Sequence, residues 1–210
     1  MKRRLTTIMT VLIAATVAHA GTQNTNTNTV SPTLQVTANV QKAVQLTLST
    51  GTVAAAHCAV AAGSGTDYSM NFGTVDGLGI NAGNCNKFSP TTPGVTNAVY
   101  WSDYQLTPVF SSQSVSTNTI TAQVTGTFGG VANGTSNLII VRDTANSSTL
   151  PASAASFSNM GSASADTIAT NAANGTAITR YIGIAVTPAN GASVLTGNQS
   201  ATVTFTLTVQ

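Results

Sequence analysis

The chain has 210 residues, of which only 6% are charged, and a formal net charge of +2. Three cations, Lys2, Arg3 and Arg4, sit at its start; the other four (Lys42, Lys87, Arg142, Arg180) face five aspartates and no glutamate, which leaves −1 for the rest. This balance excludes a basic nucleic-acid-binding face and a polybasic membrane patch, and an uncharged surface rich in Thr, Ser, Asn and Gln favours association.

In chain order, residues 1–20 have the pattern of a secretory signal peptide. Lys2, Arg3 and Arg4 are followed by an uncharged apolar run, Leu5 to Val17, and by Ala18-His19-Ala20, a small-x-small cleavage pattern. The run is short for a permanent membrane span. The expectation is cleavage after Ala20, Sec-type export and a mature chain that works outside the cytoplasm. Residues 21–32, dominated by Thr and Asn, read as a flexible leader, and residues 33–210 as a single domain.

From Leu34 to Leu48 apolar residues recur at every second position: Leu34, Val36, Ala38, Val40, then Val44, Leu46 and Leu48. Period two predicts a strand with one buried face. Lys42 interrupts that face, which implies a bend, an edge or two shorter strands. Tyr68 to Val75 is the next predicted strand, closed by an Asp76-Gly77 turn. Val99 to Phe110 holds Tyr100, Trp101 and Tyr104; Ile120, Ala122, Val124 and Phe128 alternate. Leu138 to Val141 is a continuous apolar run, as in a strand covered on both sides. Residues 143–176 read as a long loop or weak strand region. Strands follow at Ile178 to Val186 and at Val203 to Val209, where Val203, Phe205, Leu207 and Val209 alternate with Thr204, Thr206 and Thr208. Asn-Gly pairs at 133, 174 and 190 supply turns. Seven or more strands, turn signals between them and no convincing helix predict an all-β, immunoglobulin-like β-sandwich, with a closed barrel as the alternative.

Cys58 and Cys85 are the only cysteines. In an exported chain they predict one disulfide, closing a loop of about 28 residues and contributing ~3.5 kcal/mol in the chain-entropy account. A reactive thiol beside His57 is the rival use of Cys58.

Three segments resemble a known family: Leu34-Gln35-Val36-Thr37-Ala38-Asn39-Val40, Met70-Asn71-Phe72-Gly73-Thr74-Val75 and Ala201 to Val209. They are similar to short β patterns of bacterial pilin-type subunits, the spore coat protein U-like domains and archaic chaperone–usher pilins of Gram-negative bacteria. Two features depart from the family: the first strand lacks its common cysteine, and the last lacks a near-terminal tyrosine. The resemblance implies a sandwich short of one strand. A periplasmic chaperone first fills the gap, and the N-terminal extension of the next subunit then replaces it at an outer-membrane usher. Leu34, Val36, Ala38 and Val40 would be the donated residues; the alternative is that they form an internal strand.

Catalytic chemistry finds little footing. Beyond the signal, His57 is the sole histidine, no Gly-x-Ser-x-Gly motif surrounds a serine, and the aspartates are scattered without metal-ligand spacing. No catalytic, metal or cofactor residue is assigned. Lys42 as the nucleophile of an isopeptide bond is a minor alternative to an edge lysine. Tyr100, Trp101 and Tyr104 are candidate stacking residues for a sugar, against the plainer role of core packing. The leading expectation is a non-enzymatic structural subunit of a pilus-like fibre or surface coat, assembling with copies of itself or related subunits. The runner-up is an autonomous secreted binding module for glycans or surface adhesion; a secreted hydrolase comes third.

Overall fold

The computed structural model describes residues 35–39, 43–63, 67–111, 117–188 and 194–210. Its contacts divide the chain into two units, Met1–Val40 and Gln41–Gln210. In the first, residues 35–39 are exposed and carry no regular structure, with Val36 82% accessible.

The second unit is all-β. Its strands are β1 (Val44–Thr50), β2 (Val60–Ala62), β3 (Tyr68–Met70), β4 (Asn86–Phe88), β5 (Ala98–Phe110), β6 (Asn118–Gly126), β7 (Leu138–Asp143), β8 (Phe157–Asn159), β9 (Asp166–Thr170), β10 (Ile178–Val186) and β11 (Thr202–Val209). A six-stranded sheet runs β1-β5-β10-β7-β8. The 13-residue β5 is long enough to pair β1 along its C-terminal half and β4 along its N-terminal half. A three-stranded sheet runs β11-β6-β9, β2 and β3 form a separate hairpin, and every pairing is antiparallel.

Period-two alternation places the core. Tyr100, Tyr104 and Leu106 of β5, with Leu138 and Ile140 of β7, turn inward to meet Ile120, Ala122 and Val124 of β6 and Ile168 of β9. The residues between them turn outward. Val99, Trp101, Ile139, Val141, Tyr181 and Ala185 form a second buried cluster, packed with Phe88, Ala154 and Phe157. The large sheet is thus buried on both faces, which explains the unbroken apolar run at Leu138 to Val141. Gly183 permits this packing, since a Cβ there would collide with the Tyr100 carbonyl at 2.5 Å.

Several expectations need correction. The periodic stretch from Leu34 to Leu48 is not one strand: β1 begins at Val44, and residues 35–39 are irregular. Leu34, Val40 and Lys42 lie outside the described residues, as does the Asn190-Gly191 pair. The strand expected over Tyr68 to Val75 ends at Met70. There the chain turns: Asn71 Oδ1 accepts the Gly73 N–H at 2.8 Å, and Gly73 sits at φ +72°. For 143–176 the weak-strand reading holds: the stretch contains β8 and β9, with Ile168 only 2% accessible. The register irregularity in β9 blurred its alternation.

Cys58 and Cys85 form a disulfide, with Cα atoms 5.1 Å apart. It ties the segment after β1 to the start of β4. Non-reducing peptide mapping of exported protein should find one bridge and no free thiol, and reduction should cost ~3–4 kcal/mol of stability. Two alkylatable thiols in native material would contradict the pairing.

Candidate functional site

The two long sides of the paired sheets are built differently. On the β7/β9 side they are clamped. Arg142 Nη2 donates to Asp166 Oδ1 at 3.2 Å, with Nε 3.1 Å from Oδ2, and Gly161 N–H donates to the same carboxylate at 2.7 Å. Burial alone would raise the Asp166 carboxyl, but these donors hold it below its ordinary value. Arg180 of β10 adds a bond from Nε to the Ile168 carbonyl of β9 at 2.6 Å.

The β1/β11 side is open. Among the described residues, β1 is paired only on its β5 side and β11 only on its β6 side, so each presents an unpaired backbone edge. A cleft of about 2140 Å³ opens there and continues beside residues 67–78 and 195–202; Leu46, Leu48, Tyr104, Ile182, Val203 and Phe205 are part of its apolar lining. The inward side chains of β11 (Val203, Phe205, Leu207, Val209) are only half-buried, whereas Ile120, Ala122 and Val124 on the adjacent β6 are at most 2% accessible. Leu46 and Leu48 of β1 are also half-buried. The apolar face expected for the last strand is therefore correct in direction, and its residues are half-buried, with Val203 and Phe205 lining the cleft. Phe205 packs on Tyr104 with ring centroids 5.5 Å apart, and burial pushes the Tyr104 hydroxyl far up, so it stays neutral. An extended segment with alternate apolar side chains fits the cleft's chemistry. Two unpaired edges meet its backbone, and a greasy floor meets every second side chain.

A second arrangement was not anticipated. Asp103 is fully buried on the outward face of β5. Its carboxylate accepts the Val53 N–H at 2.7 Å and the Ala54 N–H at 3.1 Å, and lies 2.6 Å from His57 Nδ1. Desolvation alone would raise its pKa, yet these hydrogen bonds hold it below the usual carboxylate range. Gly51 is required here, because any Cβ would overlap the carboxylate. Next to it, Ser102 Oγ accepts the Cys58 N–H at 2.9 Å and donates to the Asp103 carbonyl at 3.0 Å. The group is an anchor for residues 51–58: Ser102 is wholly buried and engaged with backbone, and no hydroxyl is bonded to His57 among the described residues. One sequence signal pointed to it, a single aspartate inside the otherwise uncharged Val99 to Phe110 run.

The remaining candidates are placed as follows. Tyr100 and Tyr104 are buried inward and Trp101 is buried outward, so the three form no exposed stacking platform. The geometric reason is that neighbours in a strand point to opposite faces. Val36 and Ala38 are exposed and outside any strand. Among the described residues no helix is long and apolar enough to cross a membrane. No protein-family model, no curated protein sequence and no solved structure matches the chain.

Proposed function

We propose that this chain is an exported structural subunit of a pilus-like fibre or cell-surface coat, an immunoglobulin-like sandwich that lacks one edge strand and assembles by strand addition. One observation carries the reading. The inward apolar residues of β1 and β11 stand half-exposed beside two unpaired edges, while the opposite side is closed by the Arg142–Asp166 clamp. A missing strand leaves such an asymmetry in apolar cover: β8 and β9 also have unpaired edges, but only the β1/β11 side leaves a large apolar cleft beside them, while β9 is tied to β7 by side chains. The occupant in the assembled state is the Leu34 to Val40 segment of a second subunit, whose alternate apolar side chains match a strand with one buried face. Before assembly a periplasmic chaperone strand holds the same place, and an outer-membrane usher hosts the exchange. The disulfide agrees with an oxidising, extracytoplasmic compartment.

Val36→Asp tests this. A carboxylate entering an apolar cleft without a partner is strongly penalised. The exported wild-type chain should form ladders or fibres on size analysis, and the variant should remain a folded single subunit when its own cleft is filled by an added 33–41 peptide. Loss of folding in the peptide-saturated variant would instead make the segment an internal strand. A wild type that stays monomeric with its N-terminal segment intact would remove strand addition altogether.

A further inference from the structure

We infer that the outward face of the six-stranded sheet carries a second site, which takes a neutral sugar residue. A cavity of about 550 Å³ lies there, within the size range of small-molecule pockets. Its floor is Val99, Val141 and Ala185, each only 3% accessible. Phe88 and Phe157, both half-buried, supply an aromatic wall, and Phe88 is stacked on Trp101 at 5.4 Å with the rings 18° from parallel. Around the mouth stand hydroxyl and amide groups, those of Ser89, Thr91, Asn97, Ser153 and Asn159. No charged side chain lines it.

These features select a ligand class. An ion would find no counter-charge, and leaving it desolvated is costly. A pure hydrocarbon would cover the polar mouth without pairing it, which also costs free energy. The remaining class is neutral and two-faced, with C–H groups for the phenyl rings and hydroxyls for the rim. A pyranose has that form. The site differs from the stacking residues expected from the sequence: the rings that meet the ligand are Phe88 and Phe157, with Trp101 behind the first. It faces away from the β1/β11 cleft, on the other side of the same sheet, so it stands independently of strand addition.

Trp101 is the only tryptophan, and its contact with Phe88 makes it a built-in reporter. Exported full-length protein titrated with cellobiose, maltose, mannobiose, galactose and di-N-acetylchitobiose should show a saturable change in tryptophan emission with at least one of them. Ala155, exposed and lining the cavity, is the position to block. Ala155→Phe should weaken that binding roughly tenfold or more, equivalent to about 1.4 kcal/mol, with an unchanged unfolding midpoint. Asn97→Ala removes a rim amide without touching the floor, and should weaken binding should Ala155→Phe not fold. The inference is overturned by no saturable response to any of the five sugars, by equal binding in both variants, or by stronger binding of glucuronate or of toluene, a hydroxyl-free ring.

Discussion

Asp103→Leu is expected to lower the unfolding free energy by about 3–5 kcal/mol, the cost of leaving two backbone N–H groups and a ring nitrogen without their acceptor, at roughly 1–3 kcal/mol for each buried group. The loss is large because the carboxylate serves three donors. Without it the Val53 and Ala54 N–H groups and His57 lose their acceptor, while Ala54 still packs in the outward cluster. Urea unfolding at pH 7 measures the effect, and a wild-type midpoint would mean that the disulfide alone holds the segment. The acid limb gives a second readout. A carboxyl whose folded pKa is depressed contributes stability that is present above its unfolded value of about 4 and is lost as pH falls through the folded value. Asp103 and Asp166 are both depressed, so the wild type should weaken below about pH 4, and Asp103→Leu should show a shallower decline.

Filling the β1/β11 cleft is expected to raise the melting temperature by roughly 10–20 °C. Covering several half-exposed apolar side chains contributes on the order of 1 kcal/mol each, about 5 kcal/mol net after the ordering cost of the incoming strand. For a domain of this size each kcal/mol shifts the midpoint by roughly 2–4 °C. Calorimetry on assembled material and on isolated subunits makes the comparison. Phe205→Ala should reduce the difference, because its ring faces the cleft and meets the occupant. Equal melting temperatures in the two states would show that assembly leaves the cleft empty.

Where long strands alternate cleanly, composition and period were enough. β10 and β11 lie where Ile178 to Val186 and Val203 to Val209 placed them, β5 covers the aromatic stretch Val99 to Phe110, and the disulfide joins the two cysteines as expected. Short strands escaped for a physical reason. β2, β4 and β8 have three residues each, too few to display a period, and owe their existence to the neighbours that pair them. Of the Leu34 to Leu48 pattern only Val44 to Leu48 lies in a strand among the described residues, because periodicity reports what a segment can bury and is silent about where its partner comes from. The cleft left no signal in any single segment, for an unpaired edge is a property of sheet order. Asp103 was visible as an anomaly, but its three donors come from residues about fifty positions away. Phe88 and Phe157 gave no local signal at all, being brought together on one face by strands paired at opposite ends of the sheet.

The antiparallel pairing of β1 with β5 also sets how the molecule bears a pull. Tension on the backbone ahead of Val44 runs along β1 and loads its register with β5, from Val44↔Phe110 to Thr50↔Tyr104, in shear. Bonds loaded in parallel must break together, unlike the one-by-one opening of a peeled hairpin. Should β1 slip free, the next obstacles are the backbone grip of Asp103 on Val53 and Ala54 and then the covalent stop at Cys58, which passes the load to Cys85 at the start of β4. The 26 residues between those cysteines, in a bond of sequence separation 27, stay out of the extending chain. A chain pulled this way therefore lengthens by a short, fixed increment before the long central strand itself is engaged.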